Sequence, residues 1–104
     1  NIWSDLPKRD FIFTEDAADA VIKLLNCDYT GIINLGTGEM NSINKITKII
    51  EGLSGKKIIS EKKEVSGPLE FIADISKIKK IIGWSPKHDL ESGLTKTYDI
   101  MKKY

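Results

Sequence analysis

Apolar positions along the 104-residue chain alternate between short β-branched or aromatic runs and longer stretches with helical spacing. Phe11-Ile12-Phe13, bounded by charges, predicts a buried strand of minimal length. Thr14 then offers a hydroxyl to the free amides of a following helix, and Glu15 and Asp16 place negative charge at its positive end. Ala17, Val21, Leu24 and Leu25 share one face, so a helix is expected from about Glu15 to Leu25. Gly31-Ile32-Ile33-Asn34-Leu35 predicts a second strand, ending in Gly36-Thr37-Gly38. Ser42 is an N-cap candidate for a helix carrying Ile43, Ile46, Ile50 and Leu53 on one side, with Gly55 as its stop. Lys57-Ile58-Ile59-Ser60 predicts a third strand, which would complete a strand-helix-strand unit with a right-handed crossover.

The remainder follows the same logic. The segment from Asn1 to Lys8, with Trp3 and Pro7, predicts an extended entry, Ser66-Gly67-Pro68 a loop, and Phe71 and Ile72 a short extended piece. Asp74 should cap a helix bearing Ile75, Ile78, Ile81 and Ile82, closed by Gly83 and an aromatic anchor, Trp84. Asp89 should cap the last helix, where Leu90, Leu94, Tyr98 and Met101 form one stripe. The fold class expected is α/β: a small, partly parallel sheet of short strands flanked by about four helices, in one domain spanning 1–104.

Charge narrows the partners. Sixteen basic residues against fifteen acidic ones give a net charge of +1, and the lysines of the second half are scattered among acids. Such a surface has no field suited to nucleic acid or an anionic membrane. No apolar run approaches the roughly 20 residues of a membrane span, and no signal-peptide core is present. Asn1 is not a start methionine, which fits a piece of something longer. Cys27 is the only cysteine, so neither an internal disulfide nor a thiolate metal cluster is expected, and a reducing, cytoplasmic setting fits. His88, the only histidine, falls in the turn Pro86-Lys87-His88-Asp89 and is expected at the surface.

Three constellations bear on chemistry. Gly36-Thr37-Gly38 lies between a strand and a helix, where phosphate-binding loops occur, but position 41 is Asn41 rather than a third glycine. Tight backbone geometry is the first reading of these glycines, with exposed amides second. Tyr98 and Lys102 have the Tyr-x-x-x-Lys spacing of an acid-base pair, yet Tyr98 also lies on the apolar stripe of the last helix, and packing is the expected role. Arg9 is the single arginine beside fifteen lysines. A planar guanidinium either recognises an anion in bidentate fashion or makes a structural salt bridge to Asp5 or Asp10.

Taken together, Arg9-Asp10-Phe11-Ile12-Phe13-Thr14-Glu15-Asp16-Ala17-Ala18, Ile33-Asn34-Leu35-Gly36-Thr37-Gly38, the run from Ala73-Asp74-Ile75-Ser76-Lys77 to Gly83-Trp84, and Leu90-Glu91-Ser92-Gly93-Leu94 resemble the C-terminal part of the NAD-dependent epimerase/dehydratase family. These are extended short-chain dehydrogenases/reductases acting on nucleotide sugars. The resemblance implies that a Rossmann domain with the NAD or NADP loop and the catalytic Tyr-x-x-x-Lys would precede Asn1. It implies a homodimeric parent, and a chain that neither catalyses alone nor binds the cofactor. The partner it implies is a nucleotide-diphosphate sugar, whose diphosphate would be met by Arg9.

The family's second phosphate-binding arginine and ribose-binding acid would fall at Glu64 and Gly67. Lys62 or Lys63 would then supply that charge by a small register shift, or the substrate differs. Phe13 replaces a Tyr or His often found in the family. A parent using NADPH once as a reductase, and a free-standing binding module without an enzyme, are the alternative readings. An apolar face involving Phe11, Phe13 or the helix from Ala17 is expected where the Rossmann domain would dock.

Overall fold

A computed structural model describes residues 2, 4–63 and 69–103. The expectations on Trp3, Glu64, Gly67 and the 66–68 loop lie outside the described residues. The elements in chain order are β1 (Lys8–Arg9), α1 (Thr14–Leu25), β2 (Asn41–Ser42), α2 (Ile43–Ser54), α3 (Ser76–Ile82) and α4 (Leu90–Met101).

The four helices fall where periodicity and caps placed them. Ser42 Oγ accepts from Lys45 N, and Asp89 Oδ1 accepts from Ser92 N, so α2 and α4 begin on the side-chain caps expected of them. Gly55 and Gly83 end α2 and α3 in the left-handed region, at φ 71° and 65°. Two caps differ. Thr14 is the first helical residue of α1, and Phe13 is its N-cap with no side-chain bond, so the first turn draws on the charges of Glu15 and Asp16. Asp74 bonds the amide of Ser76 at 3.0 Å, but the cap position of α3 is Ile75, one residue later.

The α/β class holds, while its strands lie elsewhere than the apolar runs suggested. The sheet consists of β1 and β2, antiparallel, with Lys8 opposite Ser42 and Arg9 opposite Asn41. Parallel pairing enters through two isolated bridges, Ile2 with Ser60 and Lys8 with Glu70. Segments 11–13 and 32–35 belong to no ladder, and 57–60 contributes only the Ser60 bridge, so the expected strand-helix-strand unit does not form. The physical reason is a missing neighbour. A strand is defined by its partner, and among the described residues none runs alongside Ile32–Leu35. Ile32 is accordingly 84% exposed.

The core is small. Ala20 of α1, Ile75, Ile78 of α3 and Trp84 are buried, backed by partly buried Ile12, Leu24, Ile33, Ala73 and Ile82. On the other side α2 packs on α4. The Gly-Leu of the last helix has a packing reason, since a Cβ on buried Gly93 would stand 3.2 Å from Phe13 Cβ. The lobe is a slab of 47 × 34 × 18 Å with a radius of gyration of 15.8 Å. A compact domain of this length would have a radius of about 13 Å. Flatness leaves Val21, Ile22 and Leu25 on α1 exposed, whereas Phe11 and Phe13 are partly covered.

With so few buried side chains, each one weighs heavily. Ile78→Ala, emptying a fully buried site, should cost about 2–5 kcal/mol in urea unfolding, and a smaller loss would show that the core collapses around the gap.

Candidate functional site

Arg9 and Asp10 are consecutive on extended backbone, so their side chains point to opposite faces. Asp10 points inward. Its carboxylate accepts from Thr37 N at 2.9 and 3.1 Å, from Gly38 N at 2.9 Å and from Ala73 N at 3.3 Å, and also from the Thr37 hydroxyl. One acid thus gathers two remote segments. The amides of the Gly-Thr-Gly loop serve this internal anion, in favour of the backbone-geometry reading of its glycines. Gly36 is required by proximity, because a Cβ there would lie 2.6 Å from Ala73 Cβ and 2.7 Å from Asp10 Oδ2. Gly38 is required by its φ of 77°.

Arg9 points outward, within β1. Its Nη1 donates to the carbonyls of Lys8 at 2.9 Å and Leu69 at 3.2 Å. Neither salt bridge considered for it forms, since Asp10 is spent on amides and Asp5 on Lys62. Among the described residues no carboxylate lies within ion-pair distance of the guanidinium. A guanidinium has five N–H donors, and those on Nε and Nη2 have no partner among the described residues. The bridge at Lys8 and Glu70 also sets Phe71 and Ile72 near this strand, both more than half exposed.

Lys62 and Lys63 occupy different surroundings from Arg9. Lys62 Nζ bonds Asp5 Oδ1 at 2.7 Å beside a cleft of about 500 Å3 lined by α2 and segment 57–62, while Lys63 pairs with Glu61 at 3.4 Å. Asp5 is 8% exposed and also accepts from Asn44 Nδ2 at 2.8 Å. Hydrogen bonds from Lys62 and Asn44 pull its carboxyl down to about 2.

His88 departs from the surface position expected of it. Its side chain is only 16% exposed, Nδ1 lies 3.0 Å from Asp16 Oδ1, and its backbone N donates to Asp16 Oδ2 at 3.0 Å. The ring meets Phe13 edge-on at 4.9 Å. Burial raises the Asp16 carboxyl, but the His88 ring and backbone bonds outweigh it and hold the group below its ordinary range. Tyr98 and Lys102 form a cation–π contact at 5.6 Å, with the ammonium over the ring. Both the Asp10 hub and the Asp16 clamp escaped sequence reasoning. Each acid reads in sequence as a charge: Asp10 precedes an apolar run and Asp16 lies in the first turn of α1.

No family model matches the chain. A UDP-glucuronate 4-epimerase of Thermodesulfobacterium geofontis is 40% identical over 101 residues, covering 91% of this chain and 30% of the relative. A GDP-L-fucose synthase of Sinorhizobium fredii is 34% identical over 104 residues, covering 95% and 32%. A crystal structure of a Bacillus cereus UDP-glucuronic acid 4-epimerase, in complex with UDP-glucuronic acid and NAD, superposes with a TM-score of 0.83 at 32% identity, over 98% of this chain and 34% of that one. The Thermotoga maritima UDP-glucose 4-epimerase with UDP-glucose gives 0.87 at 25% identity, over 99% and 34%. Over nearly all of its length the chain is similar to enzymes of the extended short-chain dehydrogenase/reductase family of NAD-dependent epimerases and dehydratases. Within that family it has the fold of the C-terminal lobe, and it spans about a third of the length of the relatives it matches.

The residues present do not fit NAD. The glycine-rich loop between an extended segment and a helix would be the place for a dinucleotide diphosphate, and its amides already hold Asp10.

Replacing Asp10 by Asn leaves part-buried amides short of an acceptor, at about 1–3 kcal/mol for a lost partner. Asp10→Asn should therefore lower stability by at least that amount and speed amide exchange at Thr37, Gly38 and Ala73, and unchanged exchange there would refute the hub.

Three carboxyls lie below their ordinary range, Asp5, Asp16 and, through its hydrogen bonds from Ser76, Asp74, and a pH effect follows. Asp5 and Asp16 bind protons more weakly folded than unfolded, so their contribution is complete above the ordinary value of 3.8 and fades as pH falls, for Asp5 towards about 2. The urea midpoint should drop across that interval, and Asp5→Asn should flatten the curve.

Proposed function

We propose that this chain is the substrate-binding lobe of an NAD(P)-dependent nucleotide-sugar epimerase or dehydratase, and that Arg9 grips the nucleotide diphosphate. The single observation behind this reading is the state of Arg9. It is held by two carbonyls, paired with no described carboxylate, and left with donors aimed away from the core. An arginine so placed suits bidentate recognition of a phosphate oxygen pair, which a lysine's point charge would not reproduce.

Support also comes from relatives. The Bacillus cereus neighbour holds UDP-glucuronic acid and NAD and the Thermotoga maritima neighbour UDP-glucose, and both share the fold over nearly all of this chain. The contribution assigned to the lobe is orientation: fixing the diphosphate places the sugar for chemistry performed elsewhere in the parent. A second cation is assigned to the pair Lys62 and Lys63. The partly exposed ion pair of Lys63 with Glu61 is the easier to exchange for a phosphate, whereas Lys62 rests on a nearly buried acid.

The rest of the parent, an N-terminal Rossmann domain with the cofactor, is assigned to the exposed apolar face of α1, where Val21, Ile22 and Leu25 are 47%, 59% and 79% exposed. Of the places expected for such a face, Phe11, Phe13 or the helix from Ala17, the helix is the one proposed, because Phe13 packs against Gly93 of α4 and His88. A homodimeric, cytoplasmic parent completes the proposal. No helix among the described residues is long and apolar enough to cross a membrane.

In the full-length parent, Arg9→Ala should raise the KM for the nucleotide sugar by at least about tenfold. Unchanged kinetics would sink the assignment. The lobe alone should bind nucleotide diphosphates at about millimolar Kd, since the rest of the cleft is lacking. NMR titration with UDP, followed at Arg9, measures this.

A further inference from the structure

The cleft of about 500 Å3 beside Lys62 has a wall of unusual make-up. Its α2 side is Asn44, Thr47, Lys48 and Glu51, which share one helix face at the i, i+3, i+4 and i+7 positions. A polar stripe of this kind ordinarily faces water. Here it faces another stretch of the same chain, segment 57–62, across the cleft.

Two carboxylates fasten these walls together. Asp5, 8% exposed, accepts from Asn44 Nδ2 on α2 at 2.8 Å and from Lys62 Nζ on the facing segment at 2.7 Å. Glu51 Oε2 accepts from Ile58 N at 2.9 Å. Asn44 and Glu51 stand about 10 Å apart along the helix, so the cleft opens between two ties. The facing segment is held from behind as well, because Ile2 N donates to Ile59 O at 2.9 Å and Glu61 N to Ile2 O at 2.8 Å. A ligand entering such a cleft has little of its wall left to order.

The same ties decide the charge of the lining. Asp5 is neutralised by Lys62, and Glu51 spends one oxygen on a backbone amide. Lys48 and Lys57 remain, both exposed, both lining the cleft, and neither with an ion-pair partner among the described residues. Lys48 belongs to α2, and Lys57 adjoins the residue whose amide Glu51 holds, so the two cations come from opposite walls. Three ammoniums against two carboxylates leave the lining at a net charge of +1, and Ile2 and Ile59 add apolar surface.

We propose that this cleft is a binding site for a phosphate group, free or carried on a small molecule, with Lys48 and Lys57 closing on it from the two walls. Lysines serve here as mobile point charges, whereas the task assigned to Arg9 uses a fixed fork. Glu51 is the opposing charge in the site. The cleft is separate from Arg9, and its reading does not depend on the one given for that residue.

Titration of the 104-residue chain with inorganic phosphate, followed by amide NMR, tests the site. Shifts are expected at Lys48, Glu51, Ile58 and Ser60, with a Kd of about 1 mM. Lys48→Gln and Lys57→Gln should each weaken binding by about tenfold, the weight of one hydrogen bond to a charged group. Glu51→Gln keeps an acceptor for Ile58 N and removes the opposing charge, so it should tighten binding by about threefold, as befits a partly solvated charge. Amide spectra of α4 report that each variant is folded. Arg9→Ala should leave the cleft shifts in place, so that loss of phosphate binding at Arg9 and loss at the cleft are read independently. Absence of cleft shifts in the wild-type chain, or cleft shifts that survive both lysine substitutions, overturns the proposal. Phenyl phosphate separates the two sources of the anion. Binding about tenfold tighter than inorganic phosphate identifies an ester resting on the apolar wall, and equal affinity identifies the free ion; both uphold the site only if Lys48 and Lys57 are required.

Discussion

A single carboxylate sets the geometry on which the lobe depends. Asp10 supplies an internal negative charge to amides from two other parts of the chain, segment 36–38 and Ala73, and those parts have little else to hold them together at that point. A charged acceptor bonded by several amides is stronger than a neutral one, and three donors leave the carboxylate satisfied away from water. The constraint then propagates. Gly36 must lack a side chain for the amides to reach, and Arg9, one residue earlier, must face the other way. An arginine followed by an acid reads in sequence as two charges that cancel. In three dimensions the two never meet.

The helices and their ends were legible because what makes a helix is local. Ser42, Asp89, Gly55 and Gly83 act on residues within a turn of themselves, so their roles follow from sequence spacing alone. The strands were not legible for the opposite reason. Phe11-Ile12-Phe13 and Ile32–Leu35 have strand composition and run extended, yet a ladder needs a neighbour that no local pattern announces. The strands that do form, Lys8–Arg9 and Asn41–Ser42, are polar and two residues long, with no composition to mark them. The candidate site divides the same way. Arg9 stood out by being the only arginine, a fact of composition, while the Asp10 hub spans 27 to 63 residues of sequence and the Asp16 clamp on His88 spans 72.

Flatness and the shortage of buried side chains belong together. A slab 18 Å thick has room for one layer of core, here Ile78 and Trp84 with their neighbours, and its faces carry apolar residues that a free-standing domain would bury. The share of relatives that this chain matches, about a third, is consistent with a fold that in those proteins sits within a longer chain. Six residues separate the exposed side of α1 from the unpaired run at Ile32–Leu35, in which Ile32 is exposed while Ile33 packs against the core. Exposed apolar residues scattered singly are ordinary, whereas Val21, Ile22 and Leu25 lie together within little more than one turn of a single helix.

The choice of arginine at position 9 can be argued from what it must do at once. Its Nη1 is spent on the carbonyls of Lys8 and Leu69, which fixes the side chain without neutralising it, because carbonyls are dipoles and carry no net charge. A lysine doing the same would use the very ammonium that a phosphate needs, and its flexible stem would leave the charge where the carbonyls pull it. The planar fork separates the two tasks: one corner anchors, and the donors on Nε and Nη2 have no partner among the described residues. Holding a cation by neutral oxygens, with no carboxylate among the described residues paired to it, leaves its charge uncompensated by the fold's own acids there. That is the physical content of finding Asp5 on Lys62 and Asp10 on backbone amides: the two acids closest in sequence to Arg9 are the ones the fold takes away from it.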